Sequence, residues 1–562
     1  MWKKADIPTS AQRLQQEGYS RLTALVIANA GVENKEQAEE FLHSETVHNP
    51  AKIRNIEKVS EIIWDHIYRK EKICVFGDYD CDGVTGAAIL YLMLKRLGAD
   101  VMARLPDRIY GISMEAIREE IALGTKLFIT VDNGIKAIAE IEEIRRQGCK
   151  SIVLDHHQPG EVLPDADALV DLWIEGETYP FHELTGSGLA WKVACYMLTL
   201  VDDYDYAMEL VDLAAFGTIA DVAPLIGENR SIVKRALRQM RSCWYKREGV
   251  KALYDGPLDR ITAEDIAFKI APCINASGRL DVRGADLPLL LLFEDRPGIA
   301  EFLAERLTDC NNRRKSIQKE WFNRMEETAL KMIEQGDKVL VLLADGAPSG
   351  VVGLVAGNLK EKYNRPSIVF APKQDSSGKT VWTGSGRSIK GFHLLNALKT
   401  CEDFFLAYGG HELAAGMSIP ENEEILSQLR TRLNQVAEYL SETDLMPMTY
   451  WDTEITEAEL TNSLYEELKS LEPFGEGVKK PVFKMRMHLL PKRHMLMGAD
   501  KSHLKLFCEN YSAVGFSLAD KYIHSELPEV IDALGYPCEN YFNGKVKQEF
   551  MLVDFEPVTE NE

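Results

Sequence analysis

The stretch Ile73-Cys74-Val75-Phe76-Gly77-Asp78-Tyr79-Asp80-Cys81-Asp82-Gly83 joins a short apolar run to three carboxylates at alternate positions. Four apolar residues bounded by glycine read as a buried strand, and residues 85–97 behind them have the apolar spacing of a helix. The pattern then repeats. Residues 101–105, 126–131 and 151–154 read as strands, and 113–121 and 135–147 as helices, with Ser113 as an N-cap. Strands separated by helices of about 10–15 residues predict a parallel, doubly wound sheet. Ligands of such sheets lie beyond the carboxyl ends of the strands, so the residues just after each strand carry the chemistry. Here they are Asp132-Asn133-Gly134 after the strand at 126–131, and Asp155-His156-His157 after the strand at 151–154. Farther along, Gly217-Thr218-Ile219-Ala220-Asp221 adds an acid after a helical stretch.

Taken singly, each of these signals is weak, because a D-x-D is usually a turn or a helix cap. Together they gather at one edge of one sheet. Carboxylates forced together repel, and burying them unpaired costs several kcal/mol, so such a cluster persists with cations between the charges. Mixed carboxylate and imidazole ligation suits Mn²⁺ or Mg²⁺ better than calcium, which takes oxygen, or zinc, which favours Cys and His. A pair of such ions is the clamp used for in-line attack on phosphate esters.

Composition bounds the rest. A chain of 562 residues exceeds one hydrophobic core, and 45% hydrophobic with 27% charged residues is an ordinary soluble composition. No apolar run approaches a membrane span, and Met1–Ser20 lacks the apolar stretch of a signal peptide, so the cytoplasm is expected. The ten cysteines form no C-x-x-C pair, which argues against a zinc ribbon. A net charge of −22 opposes nucleic-acid binding overall, but local patches matter more than totals. One patch runs from Lys479 to Lys505, with eight Lys/Arg against the single acid Asp500.

The organisation expected is α/β. An N-terminal helical segment (1–50) precedes a parallel-sheet metal-binding domain (51–290), and one long connecting helix (291–336) leads to a smaller α/β domain (337–442). A β-barrel of short strands follows (443–562).

The motifs GDYDCDG, VDNG, DHH and GTIADV, in this order and spacing, resemble those of the DHH phosphoesterases. Pro106-Asp107-Arg108, Tyr110-Gly111, Ile274-Asn275-Ala276-Ser277-Gly278-Arg279-Leu280, Gly384-Ser385-Gly386-Arg387-Ser388, Gly409-Gly410-His411 and Leu471-Glu472-Pro473-Phe474-Gly475 narrow the resemblance to the RecJ single-stranded-DNA exonucleases. It implies DHH, DHHA1 and OB-fold domains, two Mn²⁺ or Mg²⁺ ions, and 5′→3′ hydrolysis of single-stranded DNA to mononucleotides in repair and recombination. The metal ligands it implies are Asp80, Asp82, Asp132, His156 and Asp221, with Asp132 as the bridge and Asp78 as a further acid. His157 would face the scissile phosphate as a catalytic donor, and Asp155 would support a histidine. Arg279, Ser385 and Arg387 would bind phosphates, His411 would line the same cleft, and Arg108 and Tyr110 would contact the strand. A single-stranded-DNA-binding protein and a RecQ-type helicase are the natural collaborators of such an enzyme. The alternative within the superfamily is a phosphodiesterase of short oligoribonucleotides or cyclic dinucleotides. One departure stands out: where the family usually has Trp-His-Pro-Gly, this chain reads Gly346-Ala347-Pro348-Ser349-Gly350.

Overall fold

The computed structural model describes residues 1–558 apart from 44, 107–110, 281–285, 376–377, 492, 499–500, 525–527 and 543–544. Its first sheet consists of β1 (Lys72–Phe76), β2 (Val101–Arg104), β3 (Thr125–Val131), β4 (Lys150–Leu154) and β5 (Ala168–Val170). They pair in the order β2-β1-β3-β4-β5, all parallel. β1, β3 and β4 are nearly continuous runs of buried residues because helices cover both faces of a parallel sheet. Phe76 pairs with Thr130, Val131 with Leu154, and Leu154 with Val170. The carboxyl ends of four strands are therefore level, which brings the residues that follow them to one rim.

Three helices close on that rim: α1 (Cys81–Arg96), α2 (Gly186–Thr199) and α3 (Val211–Ala220). Next comes α4 (Ala271–Arg279), then α5 (Pro297–Glu334), 38 residues long and hence about 57 Å at 1.5 Å per residue.

The second sheet has β6 (Leu340–Leu343), β7 (Ser367–Gln374), β8 (Thr380–Arg387), β9 (Ala407–Gly410) and β10 (Ala414–Pro420), ordered β9-β10-β8-β7-β6. Only the β6–β7 pair is parallel; the rest are antiparallel. Helix α6 (Val352–Tyr363) packs on β7 and β8. The β9–β10 hairpin is absent from the sequence reading because its glycine- and alanine-rich strands show no apolar alternation.

A seven-stranded sheet between Thr453 and Pro557 makes the OB domain. Four of its eight basic-run residues meet carboxylates from distant sequence: Lys480 with Glu264, Lys484 and Arg486 with Asp532, and Lys505 with Glu549. The expected open basic patch is thus half neutralised, and Lys492 lies outside the described residues. The N-terminal segment is also more than helices: Trp2–Lys4 pairs in parallel with Thr449–Trp451. Buried Arg230 ties the same regions together through the carbonyls of Phe41, Leu471, Glu472 and Pro473.

Candidate active site

Asp80 caps α1, its Oδ1 accepting from the backbone N–H of Asp82 and of Gly83, each at 3.1 Å. One residue into the helix, Asp82 is buried and faces the start of α2, where Gly186 N–H (2.7 Å) and Ser187 N–H (3.0 Å) donate to its two oxygens. Unpaired N–H groups at a helix N-terminus hold a carboxylate in this way. Gly217 of α3 crosses directly above: a Cβ there would come 2.2 Å from Asp82 Oδ1 and 2.1 Å from Ser187 Oγ. One turn later α3 ends on Asp221. The glycine and the acid of GTIAD are therefore one device, since close approach of the helix delivers the carboxylate.

Asp132 leaves β3 in the left-handed region, φ +61°, which Asp tolerates better than most residues. Its Oδ1 lies 3.0 Å from His156 Nε2. That same nitrogen is 3.6 Å from Asp82 Oδ2 and 4.0 Å from Asp221 Oδ2, so one imidazole faces three carboxylates from three elements. On the other side, Asp78, Asp80 and Asp132 offer oxygens all within 4.8 Å of one another, as do Asp132, His156 and His157 with their ligand atoms. Asp132 belongs to both sets. Two overlapping donor sets sharing one carboxylate suit two cations bridged by it, and the mix of oxygen and imidazole suits Mn²⁺ or Mg²⁺.

Electrostatics agree with that fit. Burial, then the charge of Asp80, pushes Asp78 up to about 7, against the N–H of Gly111. Burial and the neighbouring Asp80, Asp82 and Asp78 hold Asp132 well above the usual carboxylate range. Desolvation in the cleft, with Asp82 and Asp80, pushes Asp221 up to about 8. Asp155 is the exception. Burial would raise it too, but the hydrogen bond from His157 Nδ1 (2.7 Å) and the N–H of Ile135 (2.9 Å) hold it low. The same bond raises His157 despite that residue's own burial, and fixes which ring nitrogen faces away from Asp155.

Across the cleft, Arg279 ends α4, and Ser385 and Arg387 lie on β8. Arg387 donates from Nη1 to Ser385 Oγ at 3.0 Å. The glycines that follow in the chain at 350 and 353 bear on both arginines. A Cβ at Gly350 would lie 2.2 Å from the carbonyl oxygen of Arg279, and one at Gly353 would lie 2.8 Å from Ser385 Oγ and 3.3 Å from Arg387 Nη2. Gly350 lets the smaller domain approach Arg279, and within that domain Gly353 leaves room for Ser385 and Arg387. His411 is exposed in the β9–β10 turn beside Arg387's strand partner Ala414. Arg108 and Tyr110 lie outside the described residues.

Sequence reasoning overlooked three neighbours. Tyr79 packs against Gly278, where a Cβ would meet it at 3.1 Å, and so bridges the acids and Arg279. Asp171 follows β5 as Asp155 follows β4, is buried, and rises to about 7 mainly through burial. The strand-end rule that found the other acids would have found it. Arg314 on α5 senses the charge of Arg279, as Arg387 does, on top of burial that lowers both. No local pattern marks Arg314.

Comparison with known proteins matches residues 72–218 to the DHH family N-terminal domain, 336–441 to the DHHA1 domain and 451–554 to the RecJ OB domain. The single-stranded-DNA-specific exonuclease RecJ of Bacillus subtilis is 34% identical over 561 residues, 96% of this chain and 68% of that protein. Its Escherichia coli counterpart is 33% identical over 487 residues, 81% of each chain. The crystal structure of Thermus thermophilus RecJ with Mn²⁺ superposes with a TM-score of 0.78 at 29% identity, covering 99% of this chain and 80% of that one. The catalytic α/β domain, the DHHA1 domain and the OB domain thus occur together and in the same order, and the chain belongs to the RecJ family of the DHH phosphoesterases.

Proposed function

We propose that this protein is a divalent-metal-dependent exonuclease that removes mononucleotides from the 5′ end of single-stranded DNA. The observation that carries the reading is the meeting of donors on either side of Asp132, with Asp78 and Asp80 on one side and His156 facing Asp82 and Asp221 on the other, opposed across one cleft by arginines that no carboxylate neutralises among the described residues. Family membership supports it, since the named relatives are single-stranded-DNA-specific exonucleases.

Asp78, Asp80 and Asp132 would hold one ion, and Asp82, Asp132, His156 and Asp221 the other. Bound there, Mn²⁺ or Mg²⁺ supplies a water activated at neutral pH and charge stabilisation on the phosphoryl oxygens. His157, oriented by its hydrogen bond to Asp155, donates a proton to the departing O3′. Arg279, Ser385 and Arg387 take the 5′-terminal phosphate, with a guanidinium fork donating two parallel hydrogen bonds. His411 borders that phosphate subsite, and Arg108 and Tyr110 contact the strand. The OB domain holds the following nucleotides by stacking and backbone electrostatics. A single-stranded-DNA-binding protein and a RecQ-type helicase, which present single strands, are the proposed collaborators, and the cytoplasm the proposed compartment. No described helix is long and apolar enough to cross a membrane.

The test is a product ladder from 5′- and 3′-labelled DNA in Mn²⁺. A 5′ label should appear as mononucleotide from the first turnover, and a blunt duplex should resist. Preference for dinucleotides over a long strand would overturn the assignment.

A further inference from the structure

A groove of about 740 Å³ starts at Arg387 and runs along one face of α6. Its lining includes Gly353 and Gly357, Phe322 of α5, Lys362, whose ammonium lies over the Phe322 ring, and Ser517 of the OB domain. None of the acids or histidines of the metal site lines it. Arg387 is therefore reached from two sides, by the cleft that holds the metal ligands and by this groove. The volume falls within the range of about 300–1,000 Å³ found for small-ligand pockets.

Charge is the second observation. Arg314 and Arg387 each feel the charge of Arg279, and among the described residues none of the three is paired with a carboxylate. Among the described residues Arg314 bonds the side chains of Gln318 (2.7 Å) and Asn311 (2.5 Å), and Arg387 bonds Ser385 and the carbonyl of Gly386. Three guanidiniums without a carboxylate partner exceed what one terminal phosphate requires. Along the groove itself the charges are matched: Lys362 pairs with Glu326 and Glu361 with Lys360. The unanswered positive charge on the groove's own lining is therefore that of Arg387, with Arg279 acting on it from the cleft side.

We propose that the groove accepts what is attached beyond the 5′-terminal phosphate, and that the occupant it fits is a nucleoside joined through a pyrophosphate. This rests on the proposed function, which seats the terminal phosphate at Arg279, Ser385 and Arg387. The second phosphate of the pyrophosphate would meet the surplus guanidinium charge. The added base would lie over Gly353 and Gly357, where backbone approach is unobstructed, against Phe322. Hydrolysis then proceeds as on a simple end. Water adds to the first internucleotide phosphorus, the phosphorus–O3′ bond breaks, and O3′ leaves with a proton. The products are a dinucleoside pyrophosphate with a free 3′-hydroxyl and a strand with a new 5′-phosphate.

The experiment compares Mn²⁺-loaded wild type, Gly357→Leu and Phe322→Ala on two versions of one single strand, 5′-phosphorylated and 5′-adenylated. At Gly357 a Cβ meets nothing within 4 Å, so the leucine fills the groove without disturbing the helix. The expected result is that wild type releases the intact dinucleoside pyrophosphate as its first product. Gly357→Leu should lose about tenfold or more of that rate, and Phe322→Ala a smaller part, while both keep wild-type rates on the 5′-phosphorylated strand. Wild type blocked on the adenylated strand alone, or Gly357→Leu equal to wild type on both, overturns the inference and leaves the proposed function standing. Failure on the 5′-phosphorylated strand by wild type removes both.

Discussion

The metal site and the basic run of the OB domain are both dense in charge, and the protein treats them in opposite ways. On the barrel, Lys480, Lys484, Arg486 and Lys505 each meet a carboxylate brought from elsewhere in the sequence. At the strand ends, Asp78, Asp80, Asp82 and Asp221 meet no lysine or arginine among the described residues, only backbone N–H groups, a histidine and one another. Paired charge is a structural solution that is complete without a ligand. Buried like charge is complete only with one, because each added carboxylate raises the cost of the next. The difference separates a functional cluster from a solvated surface better than residue counts do.

The sharpest way to break the comparison is Asp132→Ala, which removes the carboxylate common to both donor sets. Loss of about 10³-fold or more in Mn²⁺-supported cleavage is expected, with strand binding retained because the arginines are untouched. Near-normal turnover would refute the bridging role. A smaller effect should come from Asp155→Asn, which deletes the anion fixing His157 but no proposed ligand; about 10–100-fold is expected, with the acidic-group limb of the pH–rate profile displaced. An unchanged profile would mean that His157 does not act through Asp155.

The acids also predict an inverted pH dependence of folding. Asp78 and Asp221 titrate near 7 and 8 in the folded chain, against 3.8 for an ordinary aspartate. The folded state therefore binds more protons than the unfolded one between those values, and the metal-free protein should grow more stable as pH falls from about 8 towards 5. Saturating Mn²⁺ should raise the melting temperature most at pH 8 and flatten the slope. A metal-free melting temperature that falls over this window would contradict the buried repulsion. The smallest effect belongs to the barrel. Lys484→Ala should change stability by at most about 1 kcal/mol, and strand affinity little, because the lysine is half exposed and its charge is already answered by Asp532.

The sequence by itself determined the parallel sheet and the acids at its edge. Strand alternation and strand-end position are local properties, written within a few residues of each proposed ligand. Asp78, Asp80, Asp82, Asp132, Asp155 and His156 were legible for that reason, and Asp171 would have been by the same rule. Tertiary structure alone decided the rest. Gly217 matters because α3 crosses Asp82 from 135 positions away, and Arg314 joins Arg279 only because α5 passes α4. The basic run looked like an open patch because its partners, Glu264, Asp532 and Glu549, lie in other elements. Whether a charge is answered depends on what the fold brings within a few ångströms of it, and neighbours along the chain do not carry that information.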